Sequence, residues 1–209
     1  MAEYRANGTA EVLRDALGRS GLSCLYRSVT VPNVNGLLVA TRTSCADIEE
    51  LPAPAGHGHR LVHVRLDDVH ILACYFPQGK EKIPVFEVVL EWAEAHSANP
   101  ALIVGDLNTG KHRVDEAGAT FIAADYLERL EGLGFTDAWR HFHGPAREYS
   151  WFSTKGNGFR VDHAFVSEAL LRRLRRVDYS HAEREEGISD HSILLIDLEP
   201  PQMPLVDEA

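Results

Sequence analysis

The stretch Leu102-Ile103-Val104-Gly105-Asp106-Leu107-Asn108 decides the fold of this 209-residue chain and locates its candidate site. The apolar run predicts the end of a buried strand, which stops at the glycine. Because residues two apart in an extended chain point the same way, Asp106 and Asn108 should face a common point. That point lies at the carboxyl edge of a sheet, where open α/β sheets place their sites. A carboxylate beside an amide suits a hard cation, or a water that must lose a proton.

Composition predicts one globular domain. The hydrophobic share of 44% and the charged share of 25% are ordinary, and 209 residues can bury one sizeable core. We expect a single domain over residues 1–199 and a flexible tail over 200–209. The net charge of −10 argues against a large DNA-wrapping surface, although a bound cation can supply local positive charge to meet phosphates.

The cysteines and the hydropathy pattern bear on the compartment. The three cysteines are an odd number without paired spacing, which favours reduced thiols. No apolar run follows the first residues as in a signal peptide, and no stretch approaches the roughly 18 apolar residues of a membrane span. We therefore expect a cytoplasmic monomer without a membrane span.

Periodicity along the chain predicts alternating hairpins and helices. Helices are expected over 9–17, 84–95, 123–133 and 168–174, and strands over 36–41, 60–66, 69–76, 159–166 and 192–198. Asp67-Asp68 should turn a hairpin between two of these strands. The pattern favours an α/β fold with a mostly antiparallel pair of sheets flanked by helices.

Polar residues at the predicted strand ends supply the parts of a phosphoester hydrolase. Such an enzyme needs a cation to neutralise the phosphate, a base for the attacking water and a donor to the developing oxyanion. Glu3 and Asp190 could ligate the metal, and Asp106 could take the proton from water. Asn108 and Tyr75 could donate hydrogen bonds.

A second set of residues would orient and bind. His191 beside Asp162 would be an imidazole that a carboxylate fixes and makes more basic. The alternative for Asp162 is a salt bridge to Arg160. Arg160 and Trp151 are the predicted substrate-binding residues, and the indole would offer a stacking surface.

Three motifs occur in order, each at a predicted strand end: Gly105-Asp106-Leu107-Asn108, Arg160-Val161-Asp162-His163 and Ser189-Asp190-His191. Together they resemble the endonuclease/exonuclease/phosphatase superfamily of metal-dependent phosphodiesterases. Segments 134–140 and 149–153 are similar to its exonuclease III and AP endonuclease branch. The resemblance implies a four-layer α/β sandwich, with two mostly antiparallel sheets packed face to face and flanked by helices. We expect this fold to lack the family's first strand.

The resemblance also implies Mg²⁺ or Mn²⁺ dependence, hydrolysis of a phosphodiester or phosphomonoester, and DNA as the partner. By this resemblance Glu3 would be a metal ligand, and Asp190 would lie near the metal. Tyr75 would donate a hydrogen bond on the phosphate side. Asp106, with Asn108 beside it, would position the nucleophilic water, and Asp162 would pair with His191.

Two alternatives stay open. The acidic balance and the short stretch between Trp151 and Arg160 favour a phosphatase or phosphodiesterase of small or lipid phosphoesters. Glu3 is the third residue of the chain, whereas the matching glutamate of the family ends an internal strand. This position favours an N-terminally truncated and weakly active member.

Two charged clusters are interpreted as structural. His57, His59 and His63 fit no closed zinc set with a cysteine, so they are predicted to be loop histidines rather than ligands. The basic run over residues 172–176 is predicted to be a solvated helix face near a helix C-terminus.

Overall fold

The computed structural model describes residues 1–29, 31, 33–43 and 47–200. Within these residues the helices are α1 (Ala10–Arg19), α2 (Lys82–His96), α3 (Asp125–Gly132), α4 (Ala138–His143), α5 (Glu168–Leu171) and α6 (Ala182–Glu185). The strands are β1 (Cys24–Arg27), β2 (Leu38–Thr41), β3 (Asp47–Glu50), β4 (Leu61–Leu66), β5 (Val69–Tyr75), β6 (Ala101–Asp106), β7 (Phe135–Asp137), β8 (Trp151–Phe152), β9 (Gly158–Phe159), β10 (Asp162–Ser167), β11 (Leu174–Ser180) and β12 (Ile193–Leu198). The predicted mixed α/β architecture is confirmed.

A six-stranded sheet in the order β3-β4-β5-β6-β10-β7 lies at the centre. β5 and β6 run parallel, and the other neighbouring pairs are antiparallel. The predicted hairpin is present, with Leu66 paired to Val69 and Asp67 at a φ of 53° in the turn. Because β5 and β6 are parallel, both strands deliver their carboxyl ends to one edge of the sheet.

Helices cover one face of this sheet. Alternation along β5 points Leu72 to the face that α2 and α3 bury through Phe86 and Leu127. Ile71, one residue earlier, points to the opposite face. Each fully buried side chain of this kind contributes about 1.5–3 kcal/mol relative to an exposed one.

Two antiparallel strand pairs cover the opposite face. The β11–β12 pair packs on it through Val177, which shares a core cluster with Val166 of β10. The β1–β2 pair packs on it through Val39, which joins Val64 of β4. α1 in turn packs against Leu38 of β2.

The basic run over residues 172–176 differs from its prediction. α5 ends at Leu171, and Arg175 and Arg176 lie in β11. Leu174 and Val177, which bracket them, are buried in the core while β11 pairs with β12. Burial of these two apolar residues against the sheet therefore overrides helix propensity, and the helix prediction was wrong beyond residue 171.

Two other predictions concern the C-terminal tail and the absence of a membrane span. Most of the predicted flexible tail, residues 201–209, lies outside the described residues. In the described part of the chain, no helix combines the length and apolar character needed to cross a bilayer.

Candidate active site

Three predicted site residues are cross-strand partners on neighbouring strands. Tyr75 ends β5 and is the partner of Asp106 at the end of parallel β6. Asp106 in turn lies opposite Asp162, the first residue of antiparallel β10. Cross-strand partners project to the same side of a sheet, so the three polar side chains gather at one edge.

The turn after β6 fixes the Asp106 carboxylate. Gly105 has a φ of 142°, and a Cβ there would stand 1.9 Å from the carbonyl oxygen of Cys74, so glycine is required. Asn108 adopts a left-handed φ of 49°. Its backbone N–H donates to Oδ1 of Asp106 at 2.8 Å, and its side-chain amide donates to Oδ2 at 2.9 Å. A single residue therefore holds both oxygens of the carboxylate.

Asp106 is a buried acid with only 2% of its surface exposed. Burial raises its pKa, and the negative charge of Asp162 raises it further, to about 8. The charge of His191 and the hydrogen bond from Asn108 act in the opposite direction. A carboxyl group that titrates near neutral pH can accept a proton from water and release it again.

His191 and Asp162 form the predicted pair. Nδ1 of His191 lies 2.8 Å from Oδ2 of Asp162. Burial alone would lower the pKa of His191, but the hydrogen bond and charge of Asp162, with further carboxylates nearby, raise it to about 9. The ring is therefore a cation at neutral pH, with Nδ1 donating to Asp162 and Nε2 left for a ligand. The Tyr179 hydroxyl and the Ser150 side chain bond to the backbone of Asp162 and fix its position.

Glu3 is held in the site by hydrogen bonds around it. The Tyr75 hydroxyl donates to Oε1 of Glu3 at 2.9 Å and accepts from the side-chain amide of Asn35 at 3.1 Å. The carbonyl oxygen of Met1 accepts a backbone hydrogen bond from Leu38 at 3.0 Å, which ties this segment to β2. Tyr75 thus acts by orienting Glu3. Sequence reasoning missed Asn35, because asparagine before glycine is typical of an ordinary turn.

These groups open onto a pocket of about 360 Å³. Six of the nine predicted site residues line it, namely Glu3, Asp106, Asn108, Trp151, Asp190 and His191. Tyr75 and Asp162 stand behind them as the partners of Glu3 and His191. A backbone bridge joins Trp151 to His191, and their ring centroids are 6.4 Å apart.

Lys82 is a pocket residue that sequence reasoning missed. It is 3% exposed and donates to the backbone carbonyl of Asn108. Burial lowers its pKa to about 8, against the charge of Asp106, which raises it. The sequence carried a signal, because Lys82 lies two residues before the predicted helix start at Pro84 and the helix dipole disfavours a cation near a helix N-terminus.

Arg160 does not reach the pocket. It has no exposed surface, and its guanidinium donates to Asp115 at 2.7 Å and to Asp137 at 2.5 Å. A side chain without exposed surface cannot contact a substrate in this structure, so the predicted substrate-binding role is replaced by a structural one. The alternative pairing of Asp162 with Arg160 does not form, since Asp162 pairs with His191.

The residues of the pocket fit a hard divalent cation. The charges of Asp162 and Glu3 both raise the pKa of Asp106, so the site carries an excess of negative charge. The available ligand atoms are oxygens, which suit Mg²⁺ or Mn²⁺. Among the described residues these acids do not form a group of three with ligand atoms within 4.8 Å. A sparse set of this kind agrees with Mg²⁺, which keeps several waters and uses one or two carboxylates.

The relatives of this chain are nucleases and phosphatases, which supports a hydrolase. The chain belongs to the Endonuclease/Exonuclease/phosphatase family, whose model matches residues 9–191. The resemblance predicted from the three motifs is thereby confirmed. Glu3 precedes the matched segment, and His191 ends it.

Two curated relatives are nucleases or repair proteins by name. An exodeoxyribonuclease of Streptococcus pneumoniae is 21% identical, over 87% of this chain and 70% of its own. Recombination repair protein 1 of Drosophila melanogaster is 25% identical over 66% of this chain. The match covers 23% of the Drosophila protein, so the chain spans about a quarter of that relative's length.

Two solved structures share the fold. An AP endonuclease from Archaeoglobus fulgidus superimposes with a TM-score of 0.82 at 18% identity, covering 96% of this chain and 88% of its own. The 3′ phosphatase NExo from Neisseria, bound to a product DNA hairpin, gives 0.76 at 19% identity, with coverages of 93% and 86%. At this level of identity the likeness establishes the fold alone.

Proposed function

We propose that this chain is a Mg²⁺- or Mn²⁺-dependent phosphodiesterase of the exonuclease III and AP endonuclease type, acting on DNA. The observation that carries the proposal is the pocket in which Asp106, fixed by Asn108, stands beside the Asp162–His191 pair. The names of the relatives support DNA as the substrate, since they include an exodeoxyribonuclease and an AP endonuclease.

Asp106 and His191 divide the proton and charge chemistry in this mechanism. Asp106 accepts a proton from the attacking water, because Asn108 fixes its oxygens and its pKa lies near neutral. Cationic His191 donates from Nε2 to a phosphoryl oxygen and stabilises the charge that develops there. Asp162 holds the imidazole in the required orientation.

The same pocket would hold the metal and the substrate. Glu3 and Asp190 would be the ligands, with Tyr75 orienting the Glu3 carboxylate. A bound divalent ion supplies the positive charge that makes water more acidic and stabilises the leaving oxygen. Trp151 offers an aromatic face at the rim for stacking against a base.

Cleavage assays test this proposal. Duplex DNA with one abasic site, and duplex DNA with a recessed 3′ end, are incubated with the full chain and Mg²⁺. We expect cleavage that EDTA abolishes and that His191→Gln reduces by a factor of about 10² to 10⁴. His141→Gln is the matched control, because His141 is an exposed histidine on α4 outside the pocket. Metal-independent cleavage, or equal activity of His191→Gln and His141→Gln, would refute the proposal.

A second candidate is a phosphatase or phosphodiesterase of small or lipid phosphoesters. The observation that favours it is the short β8–β9 hairpin, in which the Ser153 N–H bonds to the Asn157 carbonyl at 2.9 Å and only residues 153–157 join the two strands. A substrate panel separates the two. Turnover of small phosphoesters without cleavage of either DNA substrate would favour the second candidate.

The third alternative is a weakly active member of the family. Titration of the full chain with Mg²⁺ by calorimetry tests it, with Glu3→Gln as the comparison. Millimolar or tighter binding that Glu3→Gln weakens supports a working metal site.

We further propose that β1–β2 and β11–β12 are the halves of a second sheet, which would complete a four-layer sandwich within one cytoplasmic domain.

A further inference from the structure

His63, His70 and His96 form a cluster at the far end of the sheet from the phosphoester pocket. His70 is the partner of Ala101 at the start of β6, whereas Tyr75 is the partner of Asp106 at its end. Five residues of strand at about 3.3 Å each separate His70 from Tyr75 by about 17 Å. The cluster is therefore distinct from the proposed nuclease site.

Strand register and helix packing bring the three histidines together. His63 on β4 is the partner of Leu72, so His70, two residues before Leu72, lies diagonally across on the same face. α2 covers that face and ends at His96. The ring centroids are 5.3 Å apart for His63 and His70, 5.3 Å for His63 and His96, and 4.8 Å for His70 and His96.

The ring nitrogens converge at the spacing of metal ligands. One ligand nitrogen from each histidine lies within 4.8 Å of the other two, and Nε2 of His63 is 3.1 Å from Nδ1 of His70. Two nitrogens bound to one tetrahedral Zn²⁺ at about 2.0–2.1 Å are about 3.3 Å apart. Small side-chain adjustments would therefore place all three nitrogens on one ion.

Two of the rings already have the outer partners typical of metal ligands. Nδ1 of His63 lies 3.1 Å from Oε1 of Glu49, which leaves Nε2 to face the cluster. Nδ1 of His96 lies 2.8 Å from the carbonyl oxygen of Trp92, which leaves its Nε2 available. Ligating histidines characteristically bond their second nitrogen to a carboxylate or a backbone carbonyl in this way.

The surroundings of His70 also favour its neutral form. Burial lowers the pKa of His70, and the neighbouring His96 and His63 lower it further. Arg65 adds to this effect, and Asp47 on β3 opposes it. A neutral imidazole is the form that binds a metal ion.

We propose that His63, His70 and His96 form a binding site for one divalent transition-metal ion of the zinc type. Imidazole nitrogen suits Zn²⁺, Co²⁺, Ni²⁺ and Cu²⁺, whereas Mg²⁺ prefers oxygen. Three ligands leave a fourth position for water or an added group. The bound ion would join the C-terminus of α2 to the β4–β5 hairpin and stabilise the fold. This inference does not depend on the proposed nuclease activity.

Titration of the full chain with Zn²⁺ and Co²⁺ tests the proposal. We expect one equivalent of tightly bound metal, tetrahedral Co²⁺ absorption and a raised melting temperature. His70→Gln and His96→Gln should each weaken binding at least about 100-fold, and Glu49→Gln about 10-fold. His141→Gln should bind normally. The double variant Glu3→Gln/Asp190→Asn should also bind normally, which separates this site from the acidic pocket.

A measurement on the wild-type chain tests the site even if a histidine variant does not fold. Nitrogen-15 NMR of the wild-type histidine rings should show large shifts of Nε2 of His63 and of His96 when one equivalent of Zn²⁺ is added. Unshifted ring resonances would overturn the proposal and leave the cluster as packed rings against Trp92. Zinc binding equally tight in His70→Gln, His96→Gln and wild type would overturn it too.

Discussion

Asp106 on β6 lies directly opposite Asp162 on β10, so two carboxylates share one cross-strand position at the edge of the central sheet. Like charges opposite each other destabilise a sheet. Burial and, after it, the charge of Asp162 raise the pKa of Asp106 to about 8. His191 relieves the repulsion by pairing with Asp162 at 2.8 Å. The ionisation of Asp106 therefore depends on the charge of His191, which lowers the pKa of the buried carboxyl group.

Replacing Asp162 should change the titration of His191. In Asp162→Asn the hydrogen bond and charge that contribute most to raising the pKa of His191 are lost, so its pKa should fall from about 9 towards its ordinary value of about 6.5. Proton NMR titration of the ring measures this. Asp190→Asn is the control and should shift the pKa much less. A pKa unchanged in Asp162→Asn would mean that the pair does not control the charge of His191.

Replacing Asp106 should separate activity from stability. Asp106→Asn keeps the shape of the side chain and removes a buried carboxylate that faces Asp162. We expect DNA cleavage to fall by a factor of about 10² to 10⁴, because the base is gone. Unfolding in urea above about pH 8 should require more denaturant than for wild type. A variant that loses activity only because it loses stability would contradict this assignment.

Stability should fall as the pH rises in metal-free buffer. The folded-state pKa values of Asp106 and His191 are raised to about 8 and about 9, so these two groups hold more protons in the folded chain than in the unfolded chain. Lys82, whose pKa is lowered to about 8, opposes them only above about pH 8, so the two raised groups dominate between about pH 6 and 9.5. The contribution of His191 is fully present below about pH 6.5 and lost as the pH passes about 9. That of Asp106 is lost between about pH 4 and 8. Urea midpoints measured in EDTA at about pH 6 and about pH 9.5 test this.

The double variant Asp106→Asn/His191→Gln is the control for this pH dependence. It removes both raised pKa values, so its urea midpoint should depend less on pH over the same range. A steep decrease that persists in the double variant would assign the effect to other groups.

The predictable part of the structure is the part that local patterns encode. Asp106 and Asn108 follow an apolar strand, and the structure gives that strand the bounds Ala101–Asp106. The hairpin turn at Asp67 was equally local. These features depend on residues within a few positions of one another. Over such short distances, the alternation of apolar and polar residues and the residue types of turns can be recognised in the sequence.

The unpredicted part depends on distant partners. Arg160 looked like a substrate ligand, but its partners Asp115 and Asp137 are 45 and 23 positions away. His63 was interpreted as a loop histidine, yet it lies in β4 and meets His96 only because α2 packs on the hairpin. No periodicity in a single sequence specifies such long-range contacts.

Arg160→Met tests the structural role assigned to this arginine. The change leaves Asp115 and Asp137 as buried carboxylates without their shared cation. Burial alone would raise the pKa of Asp137, but Arg160 holds it well below its usual range, so this stability is present above about pH 4 and lost in acid. We expect Arg160→Met to lower the free energy of unfolding at neutral pH by about 3–5 kcal/mol, measured in urea.

The control for Arg160 is an arginine in an exposed pair. Arg172 bonds to Glu168 with both side chains 75% exposed, so Arg172→Met should change the urea midpoint far less than Arg160→Met. Activity per folded molecule distinguishes the two roles of Arg160, because a structural arginine leaves the KM for DNA unchanged at temperatures where the variant is folded. A raised KM in a stably folded Arg160→Met would instead restore the substrate-binding role predicted from the sequence, and would require Arg160 to leave its buried partners when DNA binds.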